Sequence, residues 1–172
     1  MNIRHTVIRI GAGLLLAGLA SSAFASGSVQ ATANATLTVL SPTTLTKTQD
    51  MVFGQVVRPS TGTNTVALDA SNNVTISGAG NGSIVASTTS SAKFNVTAAA
   101  ADTYTTTQTL TFVQTGLTNI SAATPVATTG TLGTIGAGGG TQEIRYGGQF
   151  DITAATPAQN YTGTLTVTVN YN

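Results

Sequence analysis

The segment from Leu165 to Tyr171 alternates strictly between apolar and polar side chains, with threonine or asparagine at every second position. Successive side chains of a β-strand point to opposite faces of a sheet, so a period of two is typical of a strand with one buried face. Threonine, which fits a pleated and half-buried surface, makes up roughly a fifth of the chain beyond residue 25. No segment there shows the spacing of an amphipathic helix, and the pattern therefore predicts an all-β fold.

Similar alternation recurs along the chain, bounded by glycine, asparagine and proline. The apolar positions of the predicted strands are Val29 to Val39, Met51 and Phe53, Val66 and Leu68, Val74 and Ile76, Ala92 to Val96, Leu110 and Phe112, Ile144 and Tyr146, Phe150 and Ile152, and Leu165 to Tyr171. The Asn72-Asn73 pair predicts a turn, and the Gly147-Gly148 pair predicts a hairpin between the strands on either side of it.

About nine to eleven short strands at this spacing favour an antiparallel, immunoglobulin-like β-sandwich. A closed outer-membrane barrel is the alternative, but it requires strands of about ten residues and two girdles of aromatic side chains. The aromatic residues of this chain occur singly and near the centres of the predicted strands, which is typical of a core. We expect one core that contains Phe53, Phe94, Phe112, Phe150, Leu165 and Val167.

The first 25 residues have the features of a cleaved signal peptide. Arg4 and Arg9 precede an apolar run from Ile10 to Leu19, and Ala23-Phe24-Ala25 supplies the small residues of a cleavage site before Ser26. A membrane span needs about 20 apolar residues, and this run is too short for one. We expect residues 1–25 to be a signal peptide and residues 26–172 to form a single exported β-sandwich domain without a membrane span.

Side chains that commonly carry catalysis or bind metals are scarce in this sequence. The chain has no cysteine, and neither histidine nor tryptophan occurs beyond residue 25. Histidine is the usual proton carrier at neutral pH, and soft metals prefer histidine or cysteine ligands. The glycine-rich segments 78–82 and 136–140 are not followed by a predicted helix, so they indicate turns rather than phosphate-binding loops. We therefore predict a protein that is not an enzyme, with no catalytic, cofactor-binding or metal-binding residues.

Charged side chains are few, and after residue 25 they nearly balance. The basic residues there are Lys47, Arg58, Lys93 and Arg145, against five aspartates and glutamates. Such a chain has no basic patch to neutralise phosphates, and nucleic acid is excluded as a partner. Weak charge repulsion also permits self-association. We expect the partners to be further copies of this chain or other exported β-sandwich proteins.

The eleven residues from Val29 to Val39 alternate without a break, directly after the predicted cleavage site. An extended segment of this kind can pair with the edge of a sheet, either in its own domain or in a neighbouring subunit. Pairing within its own domain avoids the cost of association and is favoured slightly for the isolated protein. The predicted strand-pairing residues are Val29, Ala31, Ala33, Ala35, Leu37 and Val39, together with Leu165, Val167, Val169 and Tyr171 of the last strand.

Several segments together resemble a known bacterial family. They are Leu45 to Thr48 leading into Asp50-Met51-Val52-Phe53-Gly54, the strand Ala92 to Val96, the segment Arg145 to Phe150, and the carboxyl-terminal Tyr161 to Asn172. With these segments the chain resembles the domain-of-unknown-function family 4402 over essentially all residues after the predicted signal peptide. The resemblance implies an all-β domain exported through the inner membrane of a Gram-negative bacterium. It also implies a likeness in style to fimbrial and spore-coat-like sandwich proteins, without established enzymatic activity.

A looser similarity is to chaperone–usher pilins, which end in a strand with a penultimate aromatic residue, as Tyr171 is here. The chain lacks the cysteine pair of those pilins. Two functional hypotheses follow. The first is a structural subunit of the cell surface or of a filament that associates by strand pairing. The second is a monomeric β-sandwich module, secreted or periplasmic, that binds or adheres to another molecule.

Overall fold

The computed structural model describes residues 28–39 and 42–171, and the predicted signal peptide lies outside these residues. Within them the chain forms twelve β-strands and no helix, and so contains no helix that could cross a membrane. In chain order the strands are β1 (Thr44–Gln49), β2 (Gln55–Val57), β3 (Thr63–Leu68), β4 (Val74–Gly78), β5 (Ser83–Val85), β6 (Ala92–Ala98), β7 (Tyr104–Phe112), β8 (Thr118–Ala122), β9 (Val126–Ala127), β10 (Gly140–Tyr146), β11 (Gly148–Thr153) and β12 (Gly163–Tyr171).

The strands form four antiparallel sheets in a β-sandwich-like fold. Two sheets have four strands each, in the orders β1-β6-β10-β9 and β4-β3-β11-β8, and two are pairs, β12-β7 and β2-β5. The predicted all-β, antiparallel fold is therefore confirmed. The described residues contain more strands than predicted because β1, β2, β5, β8 and β9 are short or lack a clear alternation. The strand predicted to start at Met51 and Phe53 and to close before Pro59 begins later, because Val52 forms only a single bridge to Ser90 and β2 starts at Gln55.

The predicted hairpin at Gly147-Gly148 is wrong. β10 pairs with β6 and β9, whereas β11 pairs with β3 and β8, so the chain passes at Gly147 from one sheet into another. A Cβ atom at Gly147 would collide with the carbonyl oxygen of Leu68. Glycine is needed here because two backbone segments approach closely, and not because the chain turns back.

The core consists of two clusters rather than the single one expected. Cluster 1 contains Ile144 and Tyr146 of β10 with Phe94 and Val96 of β6, and Leu165 and the valines of β12 pack against it. Cluster 2 contains Val66, Phe150 and Ile152, and it packs against Phe53 and Phe112. The six residues predicted to share one core are thus divided between two clusters, because the chain passes from one sheet into the other between β10 and β11.

The part of the chain that contains the strands, residues 44–171, is called here the strand-bearing unit, and the end of it at which β1 begins is called the proximal end. Thr44 of β1 pairs with Thr97 of β6, which pairs on its other side with Thr141 of β10. The neighbouring Gln142 accepts a hydrogen bond from the Tyr104 hydroxyl at the start of β7. β1, β7 and β10 therefore all begin at the proximal end.

The opposite, distal end contains the aromatic side chains of cluster 2. Phe53, which follows β1, contacts Phe112 at the end of β7, and Phe112 pairs with Gly163 at the start of β12. β12 then runs back until Tyr171 pairs with Tyr104. β1 and β12 therefore run in opposite directions, β1 towards the distal end and β12 away from it.

Residues 28–39 form no strand in the single chain, and all of them are exposed. The relative exposures of Val29, Leu37 and Val39 are 98%, 87% and 82%. That this segment pairs with a sheet edge, in its own domain or in a neighbouring subunit, stays a prediction. A strand needs a neighbour to accept and donate its backbone hydrogen bonds, and alternation alone does not supply one. The strands belong to a compact unit that begins at Thr38, and residues 28–37 are not part of that unit.

Candidate functional site

Among the strands with an unpaired edge, which include β7 and the outer strands of the other sheets, β1 and β12 border the same opening in the fold. β1 is bonded to β6 alone and β12 to β7 alone, with no other strand among the described residues on their second edges. An unpaired edge presents a row of free backbone N–H and C=O groups and is a template for pairing with another chain. The β12 edge is the longer of the two, since its ladder with β7 runs from Gly163 to Tyr171.

An open cleft of about 1190 Å³ adjoins both of these edges. One wall runs from Lys47 in β1 to Arg58 after β2, and the other runs from Thr156 to Leu165 at the start of β12. Sites for small molecules are typically about 300–1,000 Å³. This cleft is larger, and it is bordered by extended backbone, which suits a peptide segment.

The floor of the cleft is apolar and is formed by both core clusters. Ala92 and Phe94 come from cluster 1, and Phe112 and Phe150 come from the aromatic group of cluster 2. The rings of Phe53, Phe112 and Phe150 contact one another, with centroid separations of 4.9 Å between Phe53 and Phe150 and 5.5 Å between Phe112 and Phe150. Edge-to-face contacts of this kind are a favoured arrangement of aromatic rings and stabilise the floor of the cleft.

Several large apolar side chains of the core stay half-buried at the cleft. They are Met51, Phe53, Val56, Phe112, Leu117 and Leu165. Side chains of these types are usually covered in a finished core, and each gains about 1.5–3 kcal/mol on full burial. Their exposure means that the cleft is a place where the core lacks a covering element.

Hydrogen bonds hold the walls of the cleft in place. Nη1 of Arg58 on the first wall donates to the carbonyl oxygen of Thr156 on the second, at 2.7 Å. The second wall is tied to the end of β7, because the backbone N–H of Thr162 donates to Oε1 of Gln114 at 2.7 Å. Both contacts join segments distant in sequence, so the cleft is formed before anything binds in it.

The cleft carries little net charge. Its charged lining side chains are Lys47, Asp50 and Arg58, and Nζ of Lys47 lies 2.5 Å from a carboxylate oxygen of Asp50. Because this pair is exposed, it contributes little to stability, but it neutralises the rim. An uncharged, half-apolar occupant suits these surroundings best.

The predicted strand-pairing residues divide into two groups. Leu165 lines the cleft, and Val167 and Val169 follow it along β12 and pack against cluster 1. Val29 to Val39 are exposed and are part of no strand. The cleft could not be predicted from the sequence, because apolar residues such as Met51, Phe53 and Phe112 show the same pattern whether they are fully buried or line an opening.

The aspartates of the strand-bearing unit have structural partners. Asp151 accepts hydrogen bonds from Thr65 and Asn119, which hold neighbouring strands of its sheet together. Asp69 accepts the backbone N–H groups of Asn73 and Ser71 in the predicted turn, and the bond from Asn73 is the main reason that its pKa is lowered. Among the described residues, no three His, Cys, Asp or Glu side chains are grouped so that they could hold a metal ion.

Comparison with known proteins gives one match. The family model described as Domain of unknown function (DUF4402) matches residues 43–171, which is well over half of the chain. No curated protein and no solved structure matches the sequence. The matched region begins just before β1 and ends with β12, so it contains both walls and the whole floor of the cleft. The chain is a member of the DUF4402 family.

Proposed function

We propose that this protein is an exported, non-enzymatic structural subunit that associates with further copies of itself by β-strand pairing. Segment 28–39 of one copy is the incoming strand, and the cleft between β1 and β12 of another copy receives it. The observation that carries the proposal is the combination of an uncovered apolar cleft and an exposed, unpaired alternating segment in one chain.

The segment and the cleft match in chemistry. Residues 28–39 contain no charged side chain, and every second residue from Val29 to Val39 is apolar. An incoming strand would therefore place its apolar residues on the half-buried side chains of the floor and its threonines towards solvent. Strand addition gains affinity from main-chain hydrogen bonds and specificity from alternate side chains.

Pairing between copies would cover an edge that the strands leave open. An edge strand with free hydrogen-bonding groups is a liability unless it is covered or used for assembly. The β12 edge has no such protection among the described residues, since its outward side chains are uncharged threonines and an asparagine. Its composition favours pairing.

The test compares residues 26–172 with a variant that lacks residues 26–39. We expect the longer protein to form a concentration-dependent series of high-mass species in sedimentation velocity. The shorter variant should remain a folded monomer, because the ladders of β1 to β12 do not include the deleted segment. A synthetic peptide of residues 28–39 should bind the shorter variant and raise its melting temperature.

Two matched substitutions refine this test. Leu37→Ala removes a large apolar side chain from the face directed at the cleft and should weaken association at least tenfold. Thr36→Ala changes the opposite face and should leave association unchanged. If residues 26–172 stay monomeric up to millimolar concentration, the proposal is wrong and a monomeric binding module becomes the better description.

A further inference from the structure

We infer that the incoming segment runs antiparallel to β12, with Leu37 and Val39 in the distal part of the cleft and the alanines beside the rest of β12. This inference rests on the proposed function and adds a direction and a register to it. It also determines how successive subunits stack.

The size profile of the segment selects the direction. Its apolar positions are small in the middle, at Ala31, Ala33 and Ala35, and large at the ends, with Val29 alone at the amino end and both Leu37 and Val39 at the carboxyl end. Leucine and valine need open volume, whereas alanine packs against a surface that is already filled. The antiparallel direction along β12 places both Leu37 and Val39 in open volume, whereas the parallel direction places only Val29 there.

The open volume is at the distal end of β12. Of this strand, the residues that line the cleft are Gly163 to Leu165, and from Val167 onward its inward side chains pack on cluster 1. An antiparallel segment with Leu37 opposite Leu165 places Val39 opposite Gly163, where no side chain competes for space. The same register places Ala35 and Ala33 opposite Val167 and Val169, where little room is needed.

The alternation of inward and outward side chains in the two strands agrees with this register. Residues directly opposite each other in an antiparallel pair point to the same face. Leu165, Val167 and Val169 point inwards and are odd-numbered, as are all the apolar residues of the segment. Threonines 36 and 38 then lie opposite Thr166 and Thr164 on the solvent face.

Insertion of the segment into the cleft of its own chain would give the opposite direction. Four residues, 40–43, connect Val39 to β1, so a self-inserted segment would turn back and run antiparallel to β1. Since β1 and β12 run in opposite directions, it would be parallel to β12 and would place Val29 in the open volume. The size profile therefore favours a segment from a second copy.

The direction also determines the arrangement of subunits. Val39 of the donor lies at the distal end of the acceptor, and the donor's own β1 begins at Thr44, at its proximal end. Five Cα–Cα steps span at most about 18 Å, so the distal end of one subunit must face the proximal end of the next. Such a contact uses two different surfaces and leaves one free at each end, which produces an open linear assembly rather than a closed dimer.

Cysteine cross-linking tests the direction, since the chain contains no native cysteine. Isotope-labelled residues 26–172 carrying Thr164→Cys are mixed with an unlabelled chain carrying either Thr38→Cys or Gln30→Cys, and oxidised. These three positions are exposed, so the substitutions spare the core. Mass spectrometry then measures the labelled–unlabelled disulfide, and sedimentation confirms that each mixture associates.

We expect Thr38→Cys to cross-link to Thr164→Cys at least tenfold more than Gln30→Cys does. A preference for Gln30→Cys would indicate a parallel strand and overturn this inference while leaving strand-mediated association standing. Association without either cross-link would place the incoming strand elsewhere and overturn the inference as well. Absence of association would instead contradict the proposed function.

Discussion

The hydroxyl of Tyr104 donates a hydrogen bond to Oε1 of Gln142, and both side chains are buried. The same glutamine uses Nε2 to donate to the carbonyl oxygens of Thr129 and Thr131, at 2.8 and 3.1 Å. One buried amide thus joins the start of β7, β10 and the loop that precedes β10. Buried polar groups of this kind stabilise a fold only when all of their partners are present.

Tyr104→Phe should therefore destabilise the protein, because it leaves Oε1 of Gln142 buried without a donor. A buried acceptor without a partner costs about 1–3 kcal/mol, and urea unfolding of the monomeric variant lacking residues 26–39 measures this loss.

The matched control is Tyr146→Phe. The buried Tyr146 hydroxyl makes no hydrogen bond of good geometry, although Thr106 lies close enough to affect its pKa. Removing that hydroxyl should leave the free energy of unfolding unchanged or raise it by up to about 1 kcal/mol. Equal losses for both variants would contradict the assigned roles.

Stability should fall steeply in alkaline solution. Burial raises the pKa of both Tyr104 and Tyr146 above the ordinary value of 10.0. Above pH 10 the unfolded chain loses phenolic protons that the folded state retains, so the free energy of unfolding declines as the pH rises through the folded-state pKa values. Below pH 10 this contribution is constant. Chemical denaturation between pH 8 and pH 12 should show the decline, and Tyr146→Phe should make it shallower. A profile that Tyr146→Phe leaves unchanged would contradict the prediction.

Gly147→Ala should destabilise the fold because its methyl group would collide with the backbone of Leu68. Backbone must shift to relieve the contact, and overpacking of this kind costs typically about 1–3 kcal/mol. Gly138→Ala is the control, since a Cβ atom there meets nothing within 4 Å. That substitution should be neutral or stabilise by about 0.4–1 kcal/mol through the unfolded chain. Thermal melts of the two variants compare the effects, and a neutral Gly147→Ala would show that the passage between sheets is not tightly packed.

Two phenylalanines of cluster 2 should respond differently to truncation. Phe150 is only 6% exposed, and Phe150→Ala should cost about 3–5 kcal/mol of folding stability. Phe53 is half-buried at the cleft, so Phe53→Ala should cost clearly less in the monomer and should weaken association more. Urea unfolding and sedimentation measure the two effects. Equal stability losses, with association unaffected by Phe53→Ala, would argue against the cleft as the acceptor.

The positions of most of the longer strands can be predicted from local sequence patterns. The alternation at Leu165 to Tyr171 predicts β12, the Asn72-Asn73 pair predicts the turn into β4, and Ala92 to Val96 predicts β6. These predictions succeed because a period of two and a turn residue are local properties. The absence of cysteine in the whole chain, and of histidine beyond residue 25, likewise restricts the available chemistry without reference to the fold.

The pairing partners of these segments depend instead on contacts between distant parts of the chain. Gly147-Gly148 has the local composition of a hairpin, yet the chain continues there into a second sheet because the backbone of Leu68 lies against Gly147. Val29 to Val39 alternates as regularly as β12 but remains unpaired, since a strand exists only where another edge accepts its hydrogen bonds. The cleft beside β12 likewise exists because no described segment of the chain covers that part of the core. Pairing and covering are relations between distant segments, and no local pattern records which edge is left open.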